Sequence, residues 1–224
     1  MLIRNTPRAA TWWGAAAALE VLLATGAIVL DLLLPTLVLL LMAAISLTVR
    51  RQPVSSLVFQ RVHRLVRVLV RVFALTALWT VVQLALIMPV VQHLSGQRQD
   101  VSQFAALQGD VVMLIVLLAL SWTLAAVGEE VAFRGYLQER ISAMWRGSAR
   151  GMTAAILGSS VLFGLVHTEQ GLVGVVITFF DGLYFSTLRH RLDGGLWAAV
   201  LAHGFNNTIG LVAFFLIGPV GALW

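Results

Sequence analysis

Two adjacent carboxylates and an arginine stand close together in a sequence that otherwise avoids charge: Glu129, Glu130 and Arg134. In a helix, Glu130 and Arg134 lie one turn apart with the acid first, which is the favourable order for an ion pair. Glu129 lies about 100° round the helix from Glu130, among apolar residues. Pairing favours the charged form of Glu130, whereas an unpaired carboxylate in apolar surroundings suits a general base. The doubled glutamate therefore predicts two different roles for its two members.

Side chains that could take part in catalysis recur in two later apolar segments. His167 follows Phe163 at the end of one segment, and His203 and Asn207 stand four residues apart in the other. Residues at this spacing share a helix face, and ionisable groups in apolar spans usually point into the interior of a bundle. There, a carboxylate and one imidazole could deprotonate a water that attacks a peptide carbonyl. A second imidazole and an amide could stabilise the oxyanion.

Each of these groups also has a structural explanation. A lone His167 at a helix end is more often a hydrogen-bonded or capping histidine. His203 and Asn207 would serve equally in a hydrogen-bond network that only holds helices together. Asp181 and Tyr184, in the segment between them, are interpreted as structural.

The composition indicates a polytopic membrane protein. Of the 224 residues, 59% are hydrophobic and 11% charged, and the mean hydropathy is +0.92, which lies outside the range of soluble domains. The formal charge of +5 comes entirely from arginines at the ends of apolar runs. This pattern is typical of membrane orientation, so nucleic-acid binding is excluded despite the high pI. The absence of cysteine excludes disulfides, thiolate metal sites and a cysteine nucleophile.

Apolar runs of about 20 residues cross a bilayer, and the chain has enough of them for about seven helices. We predict two helices within residues 12–49, separated near Asp31 and Pro35, and five more at about 72–91, from 110 through the acidic motif, 152–167, 172–188 and 195–218. Glu20 in the first is either a buried paired acid or close to the interface. Arg4 and Arg8 precede an uncleaved first span and favour a cytoplasmic N-terminus.

The segment from Arg50 to Arg71 is predicted to lie on the cytoplasmic side because it is rich in arginine. Arg64, Arg67 and Arg71 repeat at the spacing of one helix face, which we expect to contact anionic lipid headgroups. The arginines at 189 and 191 mark another cytoplasmic end. A low content of arginine in residues 92–110 favours the opposite side.

Taken together, the motifs resemble those of a known family, the CAAX-protease and bacteriocin-processing enzymes (CPBP or Abi proteases), which are intramembrane proteases. The match is an ordered series of three motifs: Glu129-Glu130-Val-Ala-Phe-Arg134 for EExxxR, Phe163-Gly-Leu-Val-His167 for FxxxH, and His203-Gly-Phe-Asn-Asn207 for HxxxN. The resemblance covers residues 110–218.

The resemblance implies that Glu129 activates the water together with His167. It further implies that His203 and Asn207 form the oxyanion site or help to bind a metal. Asn206 also faces His203 in a helix and is the alternative to Asn207, although the family spacing favours Asn207.

Glu130, Arg134 and Phe163 complete the motifs in supporting roles. The family is often described as metalloproteases, and the zinc ligands would then be Glu129, His167 and the histidine of the third motif. A glutamate that binds the metal could not also act freely as the base. A zinc mechanism and a metal-independent glutamate mechanism therefore both stay open.

One expectation conflicts with a shared site. At a rise of ~1.5 Å per residue, His167 lies about 25 Å above residue 150, whereas His203 lies only about 12 Å above Gly195. A shared depth requires that the fifth helix start below the membrane surface or tilt, or that these boundaries be misplaced.

The sequence thus predicts an all-α transmembrane bundle with a single integrated membrane domain. Residues 1–109 supply N-terminal helices and a basic cytoplasmic loop, and residues 110–218 supply a C-terminal catalytic core. We predict that the chain is a multi-pass protein of a bacterial cytoplasmic membrane and acts as an intramembrane endopeptidase. Its predicted partners are membrane lipids and a membrane-associated peptide or protein. The alternatives are a non-catalytic membrane scaffold or immunity protein and a proton- or cation-coupled transporter. No oligomeric state is predicted.

Overall fold

A helix satisfies its own backbone hydrogen bonds, so long apolar runs form helices in a bilayer. The computed structural model describes residues 7–32, 34–57 and 59–219, and within them seven apolar helices follow one another. They are α1 (Pro7–Val29), α2 (Pro35–Val49), α3 (Leu65–Ser95), α4 (Val111–Met144), α5 (Ala149–Leu165), α6 (Gly171–Arg191) and α7 (Leu196–Ile217). Five of them are long and apolar enough to cross a membrane, and α2 and α5 are shorter. The prediction of an all-α membrane bundle is confirmed.

The ends of several helices follow from local chemistry. Asp110 caps α4, because its carboxylate accepts a hydrogen bond from the backbone N–H of Met113 at 2.9 Å. Asp31 lies in the turn between α1 and α2 with a φ of 48°. Arg4 and the side chain of Arg8, on which the predicted orientation partly rests, lie outside the described residues.

Two helices extend further than predicted. α3 begins at Leu65 instead of residue 72, so Arg67 and Arg71 lie in its first two turns. α6 continues to Arg191, and its Arg189 is buried, not exposed as expected for a cytoplasmic cluster. An arginine can be buried in this way because its aliphatic stem packs against apolar surface. The guanidinium of Arg189 donates hydrogen bonds to Gln138 and Glu139.

α3 and α4 each contain a π-helical segment in which hydrogen bonds run from residue i to i+5. These segments are Gln83–Ile87 in α3 and Ser121–Leu137 in α4. The sequence predicts an ordinary α-helix there. Side chains four residues apart are neighbours in both an α-helix and a π-helix, so their spacing does not distinguish the two. π-helical turns are found frequently at functional sites, and the segment in α4 carries the whole acidic motif.

One apolar core joins all seven helices in the described part of the chain. Each helix contributes buried residues to it, among them Ala24, Leu39, Val72, Phe133, Phe163, Phe185 and Ala202 in chain order. The helices of residues 1–109 therefore pack against those of residues 110–218 without a separate core of their own.

Polar contacts within the bundle link helices at the end where α4 finishes. Glu20 of α1 accepts hydrogen bonds from Ser46 Oγ at 2.8 Å and Tyr136 Oη at 2.9 Å, and it pairs with Arg50. Of its two predicted environments, the structure shows the paired acid. Gln138 of α4 donates to Ser159 of α5, and such bonds between helices stabilise a bundle in an apolar solvent.

Candidate active site

The acidic motif divides into a buried member and a member that faces a cavity. Glu130 is completely buried, and its Oε1 lies 3.1 Å from Nη1 of Arg134. The Arg134 guanidinium lies over two aromatic rings, 4.1 Å from the ring centre of Phe163 and 5.5 Å from that of Phe185. A buried guanidinium needs both a counter-charge and polarisable neighbours, and the i, i+4 spacing of the motif provides the first.

Glu130 also contacts the histidine of the third motif. Its Oε1 lies 2.9 Å from Nδ1 of His203. A carboxylate paired with arginine accepts hydrogen bonds, so Nδ1 of His203 carries the proton. Glu130 therefore orients His203 in addition to pairing with Arg134, a contact that the sequence does not predict.

Two aromatic rings hold the imidazole of His203 in place. The ring of Phe185 stacks on it with centres 4.9 Å apart and planes 16° apart, and the ring of Phe163 meets it edge-on at 5.9 Å. The next residue, Gly204, allows α7 to approach α4 closely. A Cβ at this position would lie 2.4 Å from the ring of Trp122.

Glu129 has different surroundings. Its side chain is 17% exposed, and its Oε2 lies 3.9 Å from Nε2 of His203, too far for a hydrogen bond. That oxygen has no hydrogen-bond partner among the described residues. The carboxylate of Glu129 therefore lies beside the imidazole of His203 without a hydrogen bond to it.

His167 follows the end of α5 and turns back toward it. Its Nδ1 lies 2.9 Å from the backbone oxygen of Phe163, and the two rings are 5.0 Å apart. A carbonyl oxygen only accepts, so Nδ1 donates the proton, and in the neutral ring Nε2 is left as an acceptor. The spacing of the second motif thus selects the tautomer of its histidine.

The two asparagines of the third motif differ in their contacts. The Oδ1 of Asn206 accepts a hydrogen bond from Thr80 Oγ1 of α3 at 3.0 Å. Both Asn206 and Asn207 line the cavity beside Glu129. Asn206 thus links α7 to α3.

A cavity of about 720 Å³ brings most of the predicted residues together. Its wall includes Glu129, Phe163, His167, His203 and Asn207. The other two predicted residues, Glu130 and Arg134, lie behind this wall. The rest of the wall is mainly apolar and comes chiefly from α3, α4, α6 and α7, including Leu84, Met88, Leu117, Leu120, Leu124, Ile177 and Phe214.

The packing also explains how His167 and His203 reach the same cavity despite their different distances from the helix starts. α7 begins beside the C-terminal third of α4. Leu196 packs against Gly135 there, so closely that a Cβ on Gly135 would lie 3.3 Å from the Leu196 side chain. α4 continues to Met144 before α5 starts, about nine residues or roughly 14 Å further. This offset matches the difference in depth expected from the sequence.

Several polar residues on the cavity wall were not predicted as part of the site, and two of them are bonded to each other. Asp181 of α6 and Gln83 of α3 line the cavity, and Asp181 accepts hydrogen bonds from Trp79 Nε1 at 2.7 Å and Gln83 Nε2 at 2.8 Å. An acid within a membrane span is by default a candidate functional residue. Asp181 was nevertheless interpreted as structural, because the segment around it contains none of the three motifs.

The described side chains do not form a ready three-ligand metal centre. No group of three His, Asp or Glu residues within them converges closely enough to hold an ion. Each histidine of the cavity already uses Nδ1 in a hydrogen bond and has only Nε2 to offer a metal. The zinc mechanism therefore stays an alternative to the metal-independent mechanism.

Comparison with known proteins gives one match. Residues 111–209 are similar to the Rce1-like family, described as type II CAAX prenyl endopeptidase Rce1-like. This segment contains all three motifs, so the resemblance predicted from them is confirmed. No curated protein and no solved structure matches the chain.

Proposed function

Because residues 111–209 match the model of the Rce1-like family, described as type II CAAX prenyl endopeptidase Rce1-like, we propose that the protein is an intramembrane endopeptidase. It hydrolyses a peptide bond of a membrane-associated peptide or protein inside the cavity of about 720 Å³. The observation that carries this proposal is the asymmetry of the acidic motif. Glu129 faces the cavity, while Glu130 lies behind it and bonds to His203.

In the proposed reaction, Glu129 removes a proton from a water that also donates a hydrogen bond to Nε2 of His167. The water oxygen forms a bond to the peptide carbonyl carbon, and the carbonyl electron pair moves onto its oxygen. The neutral tautomer of His167 supports this role, since its Nδ1 is bound to a backbone carbonyl and its Nε2 accepts.

The negative oxygen of the tetrahedral intermediate then receives hydrogen bonds from His203 and Asn207. His203 donates from Nε2 as an imidazolium, which the Glu130 carboxylate at 2.9 Å from Nδ1 supports. When the intermediate collapses, the carbon–nitrogen bond breaks and Glu129 transfers its proton to the leaving amine. Glu129 returns to its starting state, and two products with a free carboxylate and a free amine result.

The proposed setting is a bacterial cytoplasmic membrane with a cytoplasmic N-terminus. The arginines of residues 50–71 favour this orientation, and their side chains contact anionic lipid headgroups in the proposal. Arg64, Arg67 and Arg71 line one cleft of about 280 Å³ at the start of α3, together with His63 and Asp193.

The substrate class is tested with two probes in proteoliposomes. One is a farnesylated peptide with a CAAX terminus, and the other is an unmodified peptide that spans the membrane. We expect cleavage of at least one probe at a single bond, detected by mass spectrometry, and no cleavage by the Glu129→Gln variant purified in parallel. Equal cleavage by that variant, or no cleavage of either probe by the parent protein, would contradict the proposal.

Metal dependence is tested on the same preparation. Metal analysis and activity after exhaustive chelation distinguish the two mechanisms, since the glutamate mechanism predicts full activity in the metal-free protein. Loss of activity that returns on addition of zinc would instead assign the zinc mechanism.

A further inference from the structure

Asp181 is a second carboxylate on the wall of the cavity, and the proposed reaction does not use it. It lies on α6, one turn before Phe185, whose ring stacks on the imidazole of His203. Residues four apart on a helix are about 5–6 Å apart at Cβ. The carboxylate therefore lies one helical turn from the ring that stacks on His203, on the wall of the same cavity.

The position of Asp181 is defined by contacts on two sides. Trp79 and Gln83 of α3 both donate to the same oxygen, Oδ1, at 2.7 and 2.8 Å. On the other side, Gly182 packs against Ser160 of α5 so closely that a Cβ there would lie 2.8 Å from the Ser160 Cβ. These contacts fix the orientation of α6 about its own axis. Within the described residues, no hydrogen bond to the other carboxylate oxygen of Asp181, Oδ2, is present.

The charges on the cavity wall favour a positive ligand. The charged residues that line it are Arg98, Glu129, Glu169 and Asp181, so carboxylates outnumber guanidinium groups. None of the ion pairs between described residues includes Asp181. A cationic group bound beside this carboxylate would form an ion pair that the apolar surroundings screen less than water does.

We propose that Asp181 determines substrate specificity by binding a cationic group of the substrate, a lysine or arginine side chain or a free amine, close to the cleaved bond. This inference depends on the proposed peptidase function. The neutral amide of asparagine would keep the hydrogen bonds from Trp79 and Gln83, because its oxygen accepts as the carboxylate does. It would lose only the charge.

The test uses the purified protein in detergent and a library of peptides from a digested proteome, with cleavage sites identified by mass spectrometry. For the parent protein we expect enrichment of lysine and arginine at one position near the cleaved bond. In a synthetic pair, a peptide with lysine there should be cleaved about tenfold faster, as kcat/KM, than the same peptide with acetyl-lysine. In Asp181→Asn this ratio should fall to about one.

Glu169→Gln is the matched control, since it removes the same charge from another part of the wall and should keep the preference. The ratio is measured within one sample, so a loss of folded protein does not change it. A parent protein that cleaves without a basic preference would overturn the assignment of Asp181, as would retention of the preference in Asp181→Asn or its loss in Glu169→Gln. No cleavage of any peptide by the parent protein would instead overturn the peptidase function itself.

Discussion

Glu129 and Glu130 are neighbours in the chain but differ in what they contact. Glu130 is buried with Arg134 and His203, and Glu129 has an oxygen with no partner among the described residues. The i, i+4 spacing predicted the ion pair of Glu130. The bond to His203 could not be predicted, because it depends on how α7 packs against α4, 73 residues later in the chain.

The two glutamates should therefore respond differently to removal of their charge. In Glu130→Gln, the buried guanidinium of Arg134 loses its counter-charge, which costs about 3–5 kcal/mol and lowers the midpoint of thermal unfolding by roughly 6–20 °C. In Glu129→Gln, no hydrogen bond or ion pair of similar strength is lost, so the midpoint should stay the same or rise. Thermal unfolding of both variants in the same detergent measures this. Equal destabilisation of the two would contradict the division of roles.

At the scale of the helix, the acidic motif depends on close packing between α4 and α7. Gly204 touches the ring of Trp122, and the indole of Trp122 donates to Thr208 at 3.1 Å. The long π-helical segment of α4 lies on this interface. Its winding could not be predicted from spacing, whereas the existence of the helix and its cap at Asp110 could.

A Gly204→Ala variant should move α7 away from α4 and displace His203 from Glu130. Overpacking of this kind costs about 1–3 kcal/mol, and we expect a lower unfolding midpoint together with a lower rate of cleavage. Gly210→Ala on the same helix is the control, because a Cβ there has nothing within 4 Å. An equal effect of the two substitutions would show that helix propensity, and not contact with Trp122, determines the result.

At the scale of the whole molecule, hydropathy predicted the number of helices and their order. It misplaced the start of α3, because the arginines in the first two turns of that helix lower the hydropathy there. The cavity and the place of Asp181 in its wall are products of packing. They could not be derived from the spacing of residues within one helix.

In the proposed topology all seven helices cross the membrane, so the segment between α2 and α3 and the segment between α3 and α4 lie on opposite sides. The chain has no cysteine, so a single introduced cysteine gives an unambiguous label. With a cytoplasmic N-terminus, Gln97→Cys should react with an impermeant maleimide in intact cells, and Ser55→Cys only after permeabilisation. Both positions are exposed. Reaction of both, or of Ser55→Cys alone, in intact cells would contradict the proposed orientation.

The central claim is that Glu129 is the general base of the cavity, and the rate of single-turnover cleavage tests it most directly. Parent protein and Glu129→Gln are compared on one cleaved peptide, with enzyme in excess and with folded protein quantified by the unfolding transition. The account predicts a rate lower by about 10²–10⁴ in the variant, the range expected for loss of a general base, with the transition retained. An unchanged rate in the folded variant would contradict it.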